Sequence, residues 1–142
     1  MTELPRHSVS VAGIVFNEDG QILVVKRRDN GEWQPPGGVL ELNETIEDGL
    51  RREILEETGL EVAVGPITGV YKNIKLGVIA IVAKCMKPVG ELRTGDETVE
   101  IRWIRPTEAS ELVPPTFAIR ITDALGRTHG ATQRTHDGSE LI

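Results

Sequence analysis

From Thr45 to Gly59 the chain reads as a helix, and one whose charges run against its own dipole. Thr45 followed by Asp48 has the spacing of a capping box, and Gly59 is a C-terminal stop, so the spacing predicts a helix over Ile46 to Thr58. Each residue advances the wheel by roughly 100°. Ile46, Leu50 and Ile54 then form an apolar stripe; Glu53 and Glu57 fall on the same stripe, with Glu56 beside it. Glu53 and Glu57 are like charges four apart, which disfavours a helix by about 0.2–0.5 kcal/mol. Glu56 adds a third, and all three lie in the last turns, where the dipole favours cations. A bound divalent cation would reverse all three penalties. The plainer alternative is a solvated acidic face, with Arg52 a surface ion-pair partner for Asp48 and Glu56.

The flanking segments predict one domain of mixed strands and helices. Ser8 to Phe16 and Gln21 to Lys26 read as strands joined in a hairpin by the Asp19-Gly20 turn. Asp29 to Gly38, with Pro35-Pro36-Gly37-Gly38, is loop, since that run continues neither a helix nor a central strand. Strands follow at Leu60–Val64, Ile67–Tyr71, Gly77–Met86 and Val99–Ile104, then a short helix at Thr107–Leu112 and a longer one at Pro115–Leu125. Residues 127–142 are polar and read as a peripheral tail beyond a domain of residues 1–126. Such an order predicts an α/β fold, a sheet covered by helices on both faces.

Composition narrows the partners. Sixteen Lys and Arg against 22 Asp and Glu give a net charge of −6, which argues against a nucleic-acid polymer as ligand. A small anion remains possible where a metal ion or local basic patch overturns the field. No run approaches the roughly 18 apolar residues of a membrane span. The first residues lack a signal-peptide core and Cys85 is the single cysteine, so a reducing, cytoplasmic setting is expected.

Reading from Gly38, the chain has five residues to Glu44, seven more, then Arg52-Glu53-Ile54, one residue, Glu56-Glu57, one residue, and Gly59-Leu60. This resembles the complete box of the Nudix hydrolases, GX5EX7REUXEEXGU with U aliphatic. The resemblance implies an α/β/α sandwich with a mixed sheet, and a pyrophosphohydrolase cleaving a nucleoside diphosphate linked to another group. It implies Mg2+ or Mn2+ held by Glu53, Glu56 and Glu57 with the carbonyl of Gly37 or Gly38, Arg52 orienting the glutamates, and Glu44 supporting the preceding loop. The base differs among family members; Glu53 and Glu56 are candidates, as are Glu97 and Glu100, for which a polar strand edge is the plainer alternative. Homodimers are frequent in the family. A non-catalytic nucleotide-binding regulator on the same fold is the alternative.

Lys26-Arg27-Arg28 is the one basic triplet; Arg27 and Arg28 either clamp substrate phosphates or end a strand. Trp33 either stacks on a base or packs beneath the loop. Trp103, Cys85, Phe16 and Phe117 read as core, and His7, His129 and His136 lack metal-ligand spacing. Gly49, where the family box usually has alanine, suggests close packing against the sheet. Where many ADP-ribose hydrolases of the family carry a proline downstream of the box, this chain has Lys75-Leu76-Gly77. The dinucleoside-polyphosphate tyrosine and the NADH-type motif are also absent. The remaining expectation is a small nucleotide, nucleoside triphosphates included.

Overall fold

A computed structural model describes residues 3–126 and 130–142. Among the described residues, eight strands form two sheets. The larger is mixed and five-stranded, ordered β4 (Gly37–Val39), β1 (Ser8–Val15), β6 (Val78–Gly90), β5 (Leu60–Asn73), β8 (Thr132–His136). The smaller is antiparallel, ordered β3 (Trp33–Gln34), β2 (Ile22–Arg27), β7 (Thr98–Ile104). Helix α1 spans Ile46–Thr58, α2 Ala109–Leu112 after a helical turn at Pro106–Glu108, and α3 Pro115–Leu125.

Alternation along β1 divides the core. Val11 and Val15 lie in one apolar cluster with Leu50 and Ile54 of α1; Ala12 and Ile14 lie in another with Ala118 and Ile121 of α3. Period-2 side chains thus send α1 and α3 to opposite faces, the α/β/α sandwich that the sequence predicts. Leu50 and Ile54 are fully buried, each worth roughly 1.5–3 kcal/mol. Cys85 is buried, and Phe16, Phe117 and Trp103 pack against the two clusters as expected.

Four expectations change. Residues 29–38 are not all loop: the short edge strand β3 and the start of the edge strand β4 lie there, one on each sheet, an edge position that tolerates the prolines between them. Strands β1 and β2 form no hairpin: they share only the Phe16–Ile22 bridge before entering different sheets. Asn17 makes the turn, its Oδ1 accepting from the Asp19 and Gln21 amides. Beyond it both edges of β1 are taken by β4 and β6, which leaves β2 to pair with β3 and β7. The two short strands after α1 are one long bulged strand, β5. Nor do residues 130–142 form a peripheral tail; residues 127–129, His129 among them, lie outside the described residues. Strand β8 pairs in parallel with β5, and Arg134 donates twice to Asp123 of α3, which also accepts from Tyr71 Oη at 2.8 Å. His136 is buried, its Nδ1 accepting from the Gly138 amide.

Helix α1 begins and ends where its sequence dictates. Thr45 Oγ1 accepts from the Asp48 amide, and Gly59 stops the helix at φ +80°, a conformation glycine adopts without a Cβ penalty. Ile46 is exposed, so the buried stripe starts instead at Gly49 and Leu50 and runs through Glu53, Ile54 and Glu57. The bareness of Gly49 admits Leu40 and Glu44 of the preceding loop, rather than the sheet.

Candidate active site

The site lies where the last two turns of α1 meet β4 and the segment before β7. Glu53 and Glu57 are carried inward on the stripe that holds Leu50 and Ile54, and are only 9% and 6% exposed. Glu56 stays in solvent. The last turn of α1 carries no basic side chain. The charge that offsets the dipole there comes instead from Arg52, a turn earlier.

Arg52 is the hub. Its Nε and Nη2 donate to the two oxygens of Glu44 at 2.9 and 2.6 Å, and Nη2 also reaches the Val39 carbonyl at 3.1 Å. Its Nη1 donates to Glu53 Oε1 at 2.9 Å and to Glu56 Oε2 at 3.4 Å. Arg52 thus ties the loop after β4 to the acid-bearing helix through charge-assisted bonds. Glu44 also accepts from the Glu41 amide, and together with the Arg52 guanidinium this holds its carboxyl down at about 2.

The buried pair behaves oppositely. Burial pushes the Glu53 carboxyl up, opposed by Arg52 and assisted by Glu56 and Glu97. Glu57 is pushed up to about 8, first by burial and then by Glu53; Glu97 adds to the push, while the Gly37 amide and Arg27 oppose it. Glu57 Oε2 is buried with no hydrogen-bond partner. A buried acceptor left unpaired costs about 1–3 kcal/mol, more when charged.

Among the described residues no three acidic, histidine or cysteine side chains enclose an ion as they stand. The donor set nevertheless fits one: an orphaned carboxylate oxygen on Glu57, a second buried carboxylate on Glu53, and a solvent-borne one on Glu56 that is free to turn. All are hard oxygen donors, the kind Mg2+ and Mn2+ take. Gly38 completes the cradle. A Cβ there would meet the Glu53 carboxylate carbon at 2.5 Å, whereas a Cβ on Gly37 would strike the backbone of β1. Gly38→Ala is therefore expected to fold, because the flexible tip of Glu53 can move aside. Displacing that carboxylate should lower any ion-dependent turnover by about 10²-fold. Melting temperature and turnover measured together check this.

The other candidates separate. Glu97, just before β7, is exposed on the segment that docks on the end of α1 through Thr98, and its charge favours the neutral form of both buried carboxyls. Glu100 does not join it; Arg102 Nε holds its carboxylate at 2.7 Å. Arg27 borders the cluster but is paired with Asp29. Arg28 is engaged by backbone rather than open as a phosphate clamp: its Nε and Nη2 donate to the carbonyls of Asp96 and Thr98. Trp33 is buried in the α3-side core with the Arg102 guanidinium 4.8 Å above its ring, so the packing role holds and base stacking does not. Sequence reasoning named Glu97 but missed that residues 93–98 dock on the end of α1. The Arg93 amide donates to the Thr58 carbonyl, and Thr98 Oγ1 donates to the Glu57 carbonyl. The available signal was the helix end itself, whose carbonyls need partners and have no basic side chain in the last turn.

The NUDIX domain profile matches residues 6–124. A MutT-like protein of Streptomyces ambofaciens is 50% identical over 141 residues, covering 99% of this chain and 91% of that protein. An ADP-ribose pyrophosphatase of Methanocaldococcus jannaschii is 40% identical over 103 residues, covering 68% and 60% of the two chains. The crystal structure of a MutT protein from Methanosarcina mazei superposes with a TM-score of 0.74 at 28% identity, covering 85% of this chain and 94% of that one. The profile spans most of the chain and the Streptomyces relative nearly all of it, so this chain belongs to the NUDIX family.

Proposed function

We propose that the protein is a pyrophosphohydrolase that uses Mg2+ or Mn2+ to cleave a diphosphate linkage in a small nucleotide, with nucleoside triphosphates the first substrates to test. Family membership supports hydrolysis of a nucleoside diphosphate joined to another group. The observation that carries the reading is Glu57, a buried carboxylate pushed up to about 8, with one oxygen unpartnered, beside a second buried carboxylate. A helix needing only to pack has no use for that pair.

Glu53, Glu56 and Glu57, with the Gly38 carbonyl, would hold the ion. When bound, it would neutralise phosphate charge and acidify an attacking water. The chain's own residues do the rest. Arg52 fixes the carboxylates before substrate arrives, so little reorganisation remains at the moment of reaction. Glu97, exposed on the segment docked at the end of α1, takes the proton from water. Arg27 borders the same cluster and offers its charge to a phosphate. The relatives differ in the activity they are named for, one of them ADP-ribose pyrophosphatase. Lys75-Leu76-Gly77, in place of a proline, supports the triphosphate reading over that one.

The test is a screen of nucleoside triphosphates and diphosphates, nucleotide sugars and dinucleotides, with Mg2+ and with Mn2+, and products weighed by mass spectrometry. A nucleoside monophosphate plus pyrophosphate is the expected result. Nucleotide binding without turnover under both ions would favour the regulatory alternative.

A further inference from the structure

We infer that Arg28 is a positioning residue, fastening the 95–98 segment so that Glu97 stays at the end of α1 that carries Glu53 and Glu57. The inference rests on the proposed role of Glu97.

Three consecutive carbonyls are bound by this single residue. The Arg28 amide donates to Glu97 O at 2.9 Å, its Nε to Asp96 O at 2.9 Å, and its Nη2 to Thr98 O at 3.4 Å. The pairing of β2 with β7 supplies the opening. Its register slips between Lys26 and Arg27, which disrupts the ladder locally just before Arg28. On its other side the segment lies on the end of α1. Thr98 Oγ1 accepts from the Gly95 amide at 3.0 Å and donates to Glu57 O at 3.3 Å. Gly95 is so close to the helix that a Cβ there would strike the Glu56 carbonyl oxygen. The segment is thus gripped between Arg28 and the turn that carries the acids.

That grip is needed because Gly95, Asp96 and Glu97 are small or polar and mostly exposed, and have little apolar contact to hold them in place. A guanidinium fork spanning two carbonyls holds well, and a lysine offers one point charge in its place. With Nε and Nη2 engaged on the backbone, Arg28 acts on the reaction through Glu97 rather than through the substrate phosphates.

A double-mutant cycle tests this, with hydrogen exchange as a readout independent of turnover. The variants are Arg28→Gln, Arg28→Lys, Glu97→Gln and the Arg28→Gln/Glu97→Gln pair. Arg28→Gln is expected to lower kcat about tenfold or more with KM little changed, and to add nothing once Glu97 is already Gln. Arg28→Lys should recover only part of the loss. Exchange at the Gly95 and Thr98 amides should quicken about tenfold in Arg28→Gln, while β1 and α3 amides keep their protection. A KM that rises with the number of substrate phosphates, combined with losses that multiply in the pair, would overturn the inference and make Arg28 a phosphate ligand. Unchanged exchange at 95–98 would overturn it as well. If the parent turns over nothing, the proposed function fails, and the exchange comparison still decides whether Arg28 holds the segment.

Discussion

Glu57→Gln should leave a protein that turns over about 10²–10³-fold more slowly than the parent yet is more stable when no ion is present. The two effects have one cause. The parent buries a carboxylate with an unpartnered oxygen, an arrangement that disfavours the empty fold and suits an ion. The neutral amide relieves the first and removes the second. Glu53→Gln should lose activity on the same scale without the gain, since its remaining oxygen can still accept from Arg52, as Glu53 Oε1 does at 2.9 Å. Turnover with Mg2+ and Mn2+, and melting temperature in chelator, measure both. Parent-like turnover in the two variants would refute the roles assigned to these carboxylates.

The second large effect is a pH dependence opposite to that of most acidic groups. Glu57 has a folded value of about 8 against an ordinary 4.5, so the folded chain keeps a proton that the unfolded chain has lost. Between those values the unfolded state binds fewer protons, and stability in chelator must fall as pH rises. Each unit of difference is about 1.4 kcal/mol, so the drop from pH 4.5 to 8 amounts to several kcal/mol. Glu53 is shifted in the same direction and steepens the decline. Glu44, held near 2, stabilises the fold above its ordinary range and loses that contribution only as pH falls below about 4.5, a different window. Adding Mg2+ should flatten the decline, because a cation then takes the proton's place, and affinity for the ion should climb with pH up to about 8. Urea unfolding from pH 5 to 9, with chelator and with Mg2+, reads both slopes. The Glu57→Gln variant should lack most of the decline, and a flat parent profile in chelator would refute the assignment.

Local signals were legible and pairing was not. Helix α1 was readable because its cap, its stop and its period all lie within one short stretch, and Glu53 and Glu57 fell on the buried side as the wheel required. The Asp19-Gly20 turn misled because a turn fixes where the chain reverses, whereas the choice of partner depends on which edges are open elsewhere. Strand β8 was invisible for the same reason: its partner β5 lies far back in the sequence, and its own residues are mostly polar. The fate of Arg28 depended on carbonyls, which every residue carries and no composition reveals.

Arg52 has a further consequence for how the site is loaded. Four of its five bonds are 3.1 Å or shorter, to Glu44, Glu53 and Val39, and only the contact with Glu56 stretches to 3.4 Å. Glu56 is therefore the carboxylate that Arg52 holds least tightly, so that, were an ion to bind as proposed, recruiting Glu56 would break one long bond and leave the links to Glu44, Glu53 and Val39 as they were.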